Sequence, residues 1–320
     1  MKTEELISIK YSFIKILSGS DLSKRRLPHM MVKSGNPGPV VWLTGCMHGD
    51  EIGGTVIIHE IFKRLKENLL RGAVHAFPLM NPFGFENISR NISLSQEDLN
   101  RSFPGKANGT LAERMALLIF STILETRPSL VLDLHNDWIK SIPYVLIDKI
   151  PMSTGTGDAI DLLARKTGLL RILDTDIIRG TLSYNLLEQD IPALTLELGE
   201  SYTINEKNIE TGLSVVWNLL HELEMVRDAM KMIHYHAPRK YMQGTLVYSP
   251  FPYSSRSGIL RFLKKPGEPV RKGQRIADIY NAFGRRIESI RSLNEGIILG
   301  QTDHALSYPG APVMAFGWCD

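Results

Sequence analysis

Short apolar runs alternate with amphipathic helical stretches through the first two-thirds of the chain. This alternation constrains the fold more than any other feature. Residues 40–44, 74–79, 130–134, 144–147 and 193–198 have the length and apolar content of buried strands. Between the first two, Ile52, Val56, Ile57, Ile61, Phe62 and Leu65 recur at helical spacing. Thr110 and Glu113 form a capping-box pattern, which predicts a helix running to about Glu125. Ile209, Leu213, Val216, Leu220, Leu223 and Val226 make one stripe of a long helix expected to end near Lys231. Strands interleaved with helices predict an α/β architecture, a mixed and mostly parallel sheet flanked by helices.

The pattern changes near Ile233. Ser257-Gly258, Pro266-Gly267, Lys272-Gly273, Glu295-Gly296 and Pro309-Gly310 punctuate short β-type runs, with no long helical period between them. The expected organisation is an α/β domain over residues 1–232 and a small all-β domain over residues 233–320. Composition excludes several function classes. A net charge of +3 is too small to argue for nucleic acid, and no apolar run is long enough to span a bilayer. The acidic N-terminus lacks a signal-peptide core, and two cysteines, Cys46 and Cys319, cannot build a disulfide framework. A cytoplasmic protein is expected. Cys46 reads as a small buried residue beside a site.

His48 and Glu51 stand three residues apart just after the first apolar run. Imidazole nitrogen and carboxylate oxygen both suit zinc, and a catalytic zinc usually takes three protein ligands and a water. The spacing alone also suits a plain helix start, with Asp50 and Glu51 on the positive end of its dipole. His135 closes a second apolar run, and sites in open α/β sheets form at the carboxyl ends of strands. Asp133 beside it is a candidate to hold the far nitrogen of a metal-bound imidazole. Arg90, Asn100 and Arg101 lie in segments rich in Asn, Gly and Pro. Guanidinium groups there suit an anionic substrate, although Arg101 paired with Asp98 would also pin a loop. Glu197 interrupts an apolar run, where a carboxylate is rarely buried without purpose. It is a candidate to exchange protons with water and a leaving amine. Glu200, past Gly199, competes with it.

Taken together, His48-Gly49-Asp50-Glu51, Asn81-Pro82, Arg90, Asp98-Leu99-Asn100-Arg101, Asp133-Leu134-His135 and Glu197-Leu198-Gly199 occur in family order. Over most of residues 40–200 the chain resembles the succinylglutamate desuccinylase/aspartoacylase family, within the wider zinc carboxypeptidase group. The resemblance implies one Zn2+ per chain held by His48, Glu51 and His135. It implies Glu197 as general base and acid, and Arg90 as the group that polarises the scissile carbonyl. It implies Asn100 and Arg101 as holders of the substrate carboxylate. Arg179 and Tyr184 lie in a region the family uses for specificity, without a matching motif.

The C-terminal region resembles the family's barrel-sandwich, lipoyl-like domain, with a turn signature at residues 267–274. Residues 280–286 contain no lysine, so a carrier role is not expected; gating or assembly is. His234 and His236, two apart, fit domain-boundary histidines better than a second metal site. The function implied is a zinc-dependent amidohydrolase that removes an acyl group, such as succinyl or acetyl, from an N-acyl amino acid or related small carboxylate. The alternatives are a zinc carboxypeptidase acting on a peptide or cell-wall fragment, and a non-catalytic binding or scaffold protein on the same fold. The partner expected is a small molecule, with no nucleic acid or membrane, and with homo-oligomer formation left open.

Overall fold

A computed structural model describes residues 7–20, 22–149, 153–232 and 237–319. Among these residues, a thirteen-stranded sheet forms the spine of the molecule. Its spatial order is Ser8–Ser18, Lys24–Lys33, Ala73–Phe77, Val40–Gly45, Leu130–Asp137, Ala193–Glu200, Tyr144–Ile147, Leu170–Leu173, Thr245–Ser249, Met314–Trp318, Gly296–Gln301 and Pro269–Val270. The two-residue strand Lys140–Ser141 pairs off this path with Gly296–Gln301.

The centre is parallel. Val40–Gly45 runs parallel to both Ala73–Phe77 and Leu130–Asp137, and the latter runs parallel to Ala193–Glu200. Val41, Leu43, Leu130, Leu132, Leu194 and Leu196 are essentially unexposed. Strands covered on both faces read as unbroken apolar runs, which is why these were visible in the sequence. Their shared direction gathers residues 45–51, 135–137 and 197–200 at the carboxyl ends of the central strands. Helix Gly53–Asn68 buries Ile57, Ile58, Ile61, Phe62 and Leu65, and it packs against helix Glu206–Glu222. The packing is tight because glycines sit at the crossings. A Cβ at Gly54 would lie 2.7 Å from the Leu134 carbonyl, and one at Gly212 would lie 2.4 Å from Ile57.

Helix Leu111–Glu125 has the expected capping box. Glu113 N–H donates to Thr110 Oγ1 at 3.3 Å, and Thr110 N–H donates to Glu113 Oε2 at 2.9 Å. The helix expected to reach Lys231 stops at Glu222. Glu224 adopts a left-handed φ of 56°, and Met225 N–H returns to the Leu220 carbonyl at 2.9 Å. Leu223 and Val226 still pack on the core from the turn. Their spacing reports burial, which continues after the helix has ended.

The N-terminal hairpin of Ser8–Ser18 and Lys24–Lys33 was not read from the sequence. Its outer strand is only partly covered, with Tyr11 60% and Phe13 65% exposed, so its alternation is weak. Beyond residue 233 the chain divides its strands. Thr245–Ser249 pairs parallel with Leu170–Leu173 and continues the large sheet. Gly258–Phe262, Arg275–Tyr280, Arg286–Arg291 and Leu306–Ser307 form a separate four-stranded antiparallel sheet. Leu260, Ile276, Ile279, Ile290, Phe316 and Trp318 belong to the core between them. His234 and His236 lie outside the described residues. Among the described residues, no helix is long and apolar enough to cross a membrane.

Candidate active site

The loop after strand Val40–Gly45 is laced to the loop that follows strand Ala73–Phe77. Met80 and Asn81 donate to the carbonyls of Gly45 and Cys46 at 3.0 and 2.9 Å. Gly49 donates to the Ser89 carbonyl at 3.0 Å. A Cβ on Gly49 would stand 2.0 Å from the Gly84 backbone, so only glycine lets the two loops meet. This contact fixes His48, and the start of helix Gly53–Asn68 fixes Glu51. Gly53 N–H donates to Asn136 Oδ1 at 3.0 Å, which ties that helix start to the strand carrying His135.

His48, Glu51 and His135 converge, with one ligand atom from each lying within 4.8 Å of the others. Their exposures are 2%, 4% and 3%. His48 Nδ1 lies 2.6 Å from Glu51 Oε1, and His135 Nδ1 lies 2.9 Å from Glu51 Oε2. Each ring offers its other nitrogen to a different acid. His135 Nε2 is 2.9 Å from Asp133 Oδ2, and His48 Nε2 is 3.2 Å from Asp98 Oδ1. Asp133 is itself held by Thr44 Oγ1–H at 2.6 Å, in register across the two strands. Acids on Nε2 keep the Nδ1 lone pairs facing inward, as metal-bound imidazoles require. Burial would raise the Glu51 carboxyl, but the two imidazoles outweigh it and hold Glu51 well below the usual range. Two nitrogens and an ionised carboxylate suit zinc, so the donor set fits that metal.

Glu197 sits beside His135 in register, with Tyr144 on its other side. Its Oε2 is buried without a hydrogen-bond partner. Burial, opposed by His135 and reinforced by Asp137 and Glu51, raises this carboxyl well above its ordinary value. Glu200 is engaged elsewhere, accepting from the side-chain amides of Asn205 and Asn208. Arg90 reaches the carboxylates of Glu51 and Asp98, with Nη1 3.5 Å from Glu51 Oε1 and Nη2 3.2 Å from Asp98 Oδ2. Asn100 accepts from Leu182 N–H at 3.0 Å, and Arg101 donates to the Asn100 carbonyl at 2.8 Å. His48, Glu51, Arg90, Asn100, Arg101, His135 and Glu197 all line one cleft of ≈ 490 Å³. Arg179 and Tyr184 are not among its lining residues; the Tyr184 hydroxyl donates to Glu188 at 2.7 Å.

A profile of the succinylglutamate desuccinylase/aspartoacylase catalytic domain matches residues 37–223. The chain belongs to this family. A relative from Halomonas elongata, named N-alpha-acetyl-L-2,4-diaminobutyric acid deacetylase, is 27% identical over 293 residues, covering 87% of this chain and 81% of the relative. The product-bound structure of an ectoine utilization protein from Ruegeria pomeroyi superposes with a TM-score of 0.85 at 22% identity, covering 99% of this chain and 100% of that one. A metallo-carboxypeptidase from Burkholderia cenocepacia shares the fold over 67% of this chain and 65% of its own, with a TM-score of 0.57 at 16% identity.

Several members of this family member's site were not legible from spacing. Asn136 N–H supports Glu51 Oε2 at 3.2 Å, and Tyr144 donates to Asp137 Oδ2 at 3.1 Å. Tyr248 and Asp303 enter the cleft from the C-terminal region. Asp303 accepts from Ile139 N–H at 2.6 Å. Asn136 and Asp137 follow His135 directly, so their strand-end position was the available signal. Tyr248 and Asp303 carried none, since they depend on pairing between distant strands. Cys46 is buried beside the site, and burial reinforced by Glu51 and Asp50 pushes its thiol up to about 12. It is inert packing, as its size suggested.

Proposed function

We propose that this family member is a zinc-dependent amidohydrolase that removes an acyl group from an N-acyl amino acid or a related small carboxylate. The observation that carries the reading is Glu197. Its buried, unpartnered Oε2 stands beside His135, in a cleft shared with His48 and Glu51. An orphaned carboxylate oxygen is costly, and a water or leaving amine in the cleft would satisfy it. The names of the relatives, deacylases of N-acyl amino acids, support the substrate class.

His48, Glu51 and His135 would hold the zinc. When bound, the metal supplies a Lewis acid and lowers the pKa of its water to about 7. Glu197 takes a proton from the attacking water at Oε2. Burial raises this carboxyl above its ordinary value, so it would hold the proton it takes and return it to the departing amine. Arg90, anchored on Glu51 and Asp98, presents its guanidinium to the carbonyl oxygen as negative charge develops there. Arg101 and Asn100 hold the carboxylate of the substrate. A cleft of ≈ 490 Å³ suits one small ligand rather than a peptide groove.

Glu197→Gln keeps the shape and removes the base. Its turnover of an N-acyl amino acid is expected to fall about 10²- to 10⁴-fold with bound zinc unchanged. Wild-type turnover in this variant would remove Glu197 from the mechanism.

A further inference from the structure

The large sheet ends differently at its two edges. One edge is Pro269–Val270, two residues long and opened by a proline with no N–H to offer. The smaller sheet ends in Leu306–Ser307, also two residues, and in Arg286–Arg291, which carries the charges of Arg286, Glu288 and Arg291. Short, proline-bearing or charged edges discourage pairing with another chain. The remaining edge is Ser8–Ser18, eleven residues with no proline and no acid. Among the described residues, no strand pairs with its outer side.

Tyr11 and Phe13 project from one face of this strand, across from Met30 and Pro28 of its neighbour. They are 60% and 65% exposed. Together with His59 and Phe62 of helix Gly53–Asn68 they line a groove of ≈ 400 Å³. The register with Lys24–Lys33 is regular over Ser8–Lys15 and shifts between Lys15 and Leu17. The regular run is therefore centred near Ser12. None of its residues lines the cleft that holds His48 and Glu197.

We propose that this edge pairs antiparallel with the same edge of a second copy, giving a two-fold dimer in which the two large sheets run on into one another. A two-fold axis normal to the sheet makes the meeting strands antiparallel and keeps equivalent faces on the same side. With the axis at Ser12, Tyr11 faces the partner's Phe13, and Phe13 faces the partner's Tyr11. Ile9 faces the partner's Lys15, and Lys10 faces the partner's Ile14. Two aromatic cross-strand pairs form, each of a favourable kind. The strand has two lysines and no acid to neutralise them, and in this alignment no lysine faces a lysine. The pairing stops where the register shift bends the strand, so the bulge sets its length. A second copy thus supplies an equally bare edge, the matching aromatics and a charge pattern without conflict.

The test is sedimentation velocity of the full chain over about 1–100 µM, where a modest edge-paired dimer is expected to form. Tyr11→Lys/Phe13→Lys sets like charges opposite one another and is expected to weaken the dimer about tenfold or more. Tyr11→Glu/Phe13→Lys loses the same aromatic pairs but sets opposite charges across the axis. It is expected to dimerise about tenfold more tightly than the double-lysine variant. Both positions are exposed, so both variants are expected to keep the wild-type circular dichroism spectrum. Hydrogen exchange of the wild type, compared at the two ends of the concentration range, is expected to slow at residues 9–15 in the concentrated sample. A wild type that stays monomeric throughout would overturn the proposal. So would equal dissociation constants for the two variants, or a dimer in which exchange at residues 9–15 is unchanged.

Discussion

The two imidazoles are oriented by carboxylates on both sides. Asp133 holds Nε2 of His135 at 2.9 Å and is itself held by Thr44, so on the proposed function it would aim His135 rather than touch the metal. Asp133→Asn is expected to weaken zinc affinity about 10- to 100-fold, measured by competition with a chelator. Affinity equal to wild type would show that Asp133 does not position His135. The thiols give a separate residue-scale prediction. With Cys46 buried and its thiol pushed up to about 12, and Cys319 exposed, alkylation of the folded protein at neutral pH is expected to modify Cys319 alone, as read by mass spectrometry. His135 and Glu197 were legible because one closes and the other breaks an apolar run, where a polar side chain needs a reason, and His48 and Glu51 because of their spacing just past such a run. Asp148 and Asp174, which line the same cleft, were not, because an aspartate just past a strand reads as an ordinary turn residue.

The loops between elements determine whether the site assembles. Gly49 lies against the Gly84 backbone, where an added Cβ would have to displace main chain rather than a flexible side chain. Gly49→Ala is expected to destabilise the protein by about 1–3 kcal/mol. It is also expected to reduce bound zinc, since His48 is the next residue. Denaturant unfolding and metal analysis of the variant check both, and an unchanged pair of values would contradict the loop contact. The buried parallel strands and the capped helix Leu111–Glu125 were clear in the sequence because local pattern and burial agree there. Helix Glu206–Glu222 was overextended because Leu223 and Val226 keep the apolar spacing from a turn. Trp217 Nε1–H donating to the Asp228 carbonyl at 2.8 Å folds that turn back onto the helix, a contact that no local period reveals.

The large sheet ties distant parts of the chain into one response. At one flank, strands Lys24–Lys33 and Ala73–Phe77 hold His29 and His75 with ring nitrogens 3.2 Å apart, and both rings stack on Trp42. Burial lowers both pKa values. His29 and Lys33 lower His75 further, to about 4, and Lys10 acts on His29, which also meets Ser12. Both rings therefore fold in the neutral form. The unfolded chain binds more protons once the pH drops below about 6.5, so stability from this pair is full above that value. It is lost progressively as the pH falls towards about 4. Thermal melts of His75→Asn are expected to show a flatter loss of Tm over that window than wild type. At the opposite end, Tyr248 and Asp303 bring the C-terminal region to the cleft, and strand Thr245–Ser249, which carries Tyr248, continues the sheet. The account as a whole depends on zinc held at His48, Glu51 and His135 serving amide hydrolysis. The most direct test is to strip the protein with a chelator and titrate zinc back while following Nα-acetyl-2,4-diaminobutyrate hydrolysis. Activity should vanish on stripping and return linearly to a plateau at one zinc per chain; turnover that survives complete removal of metal would contradict the account.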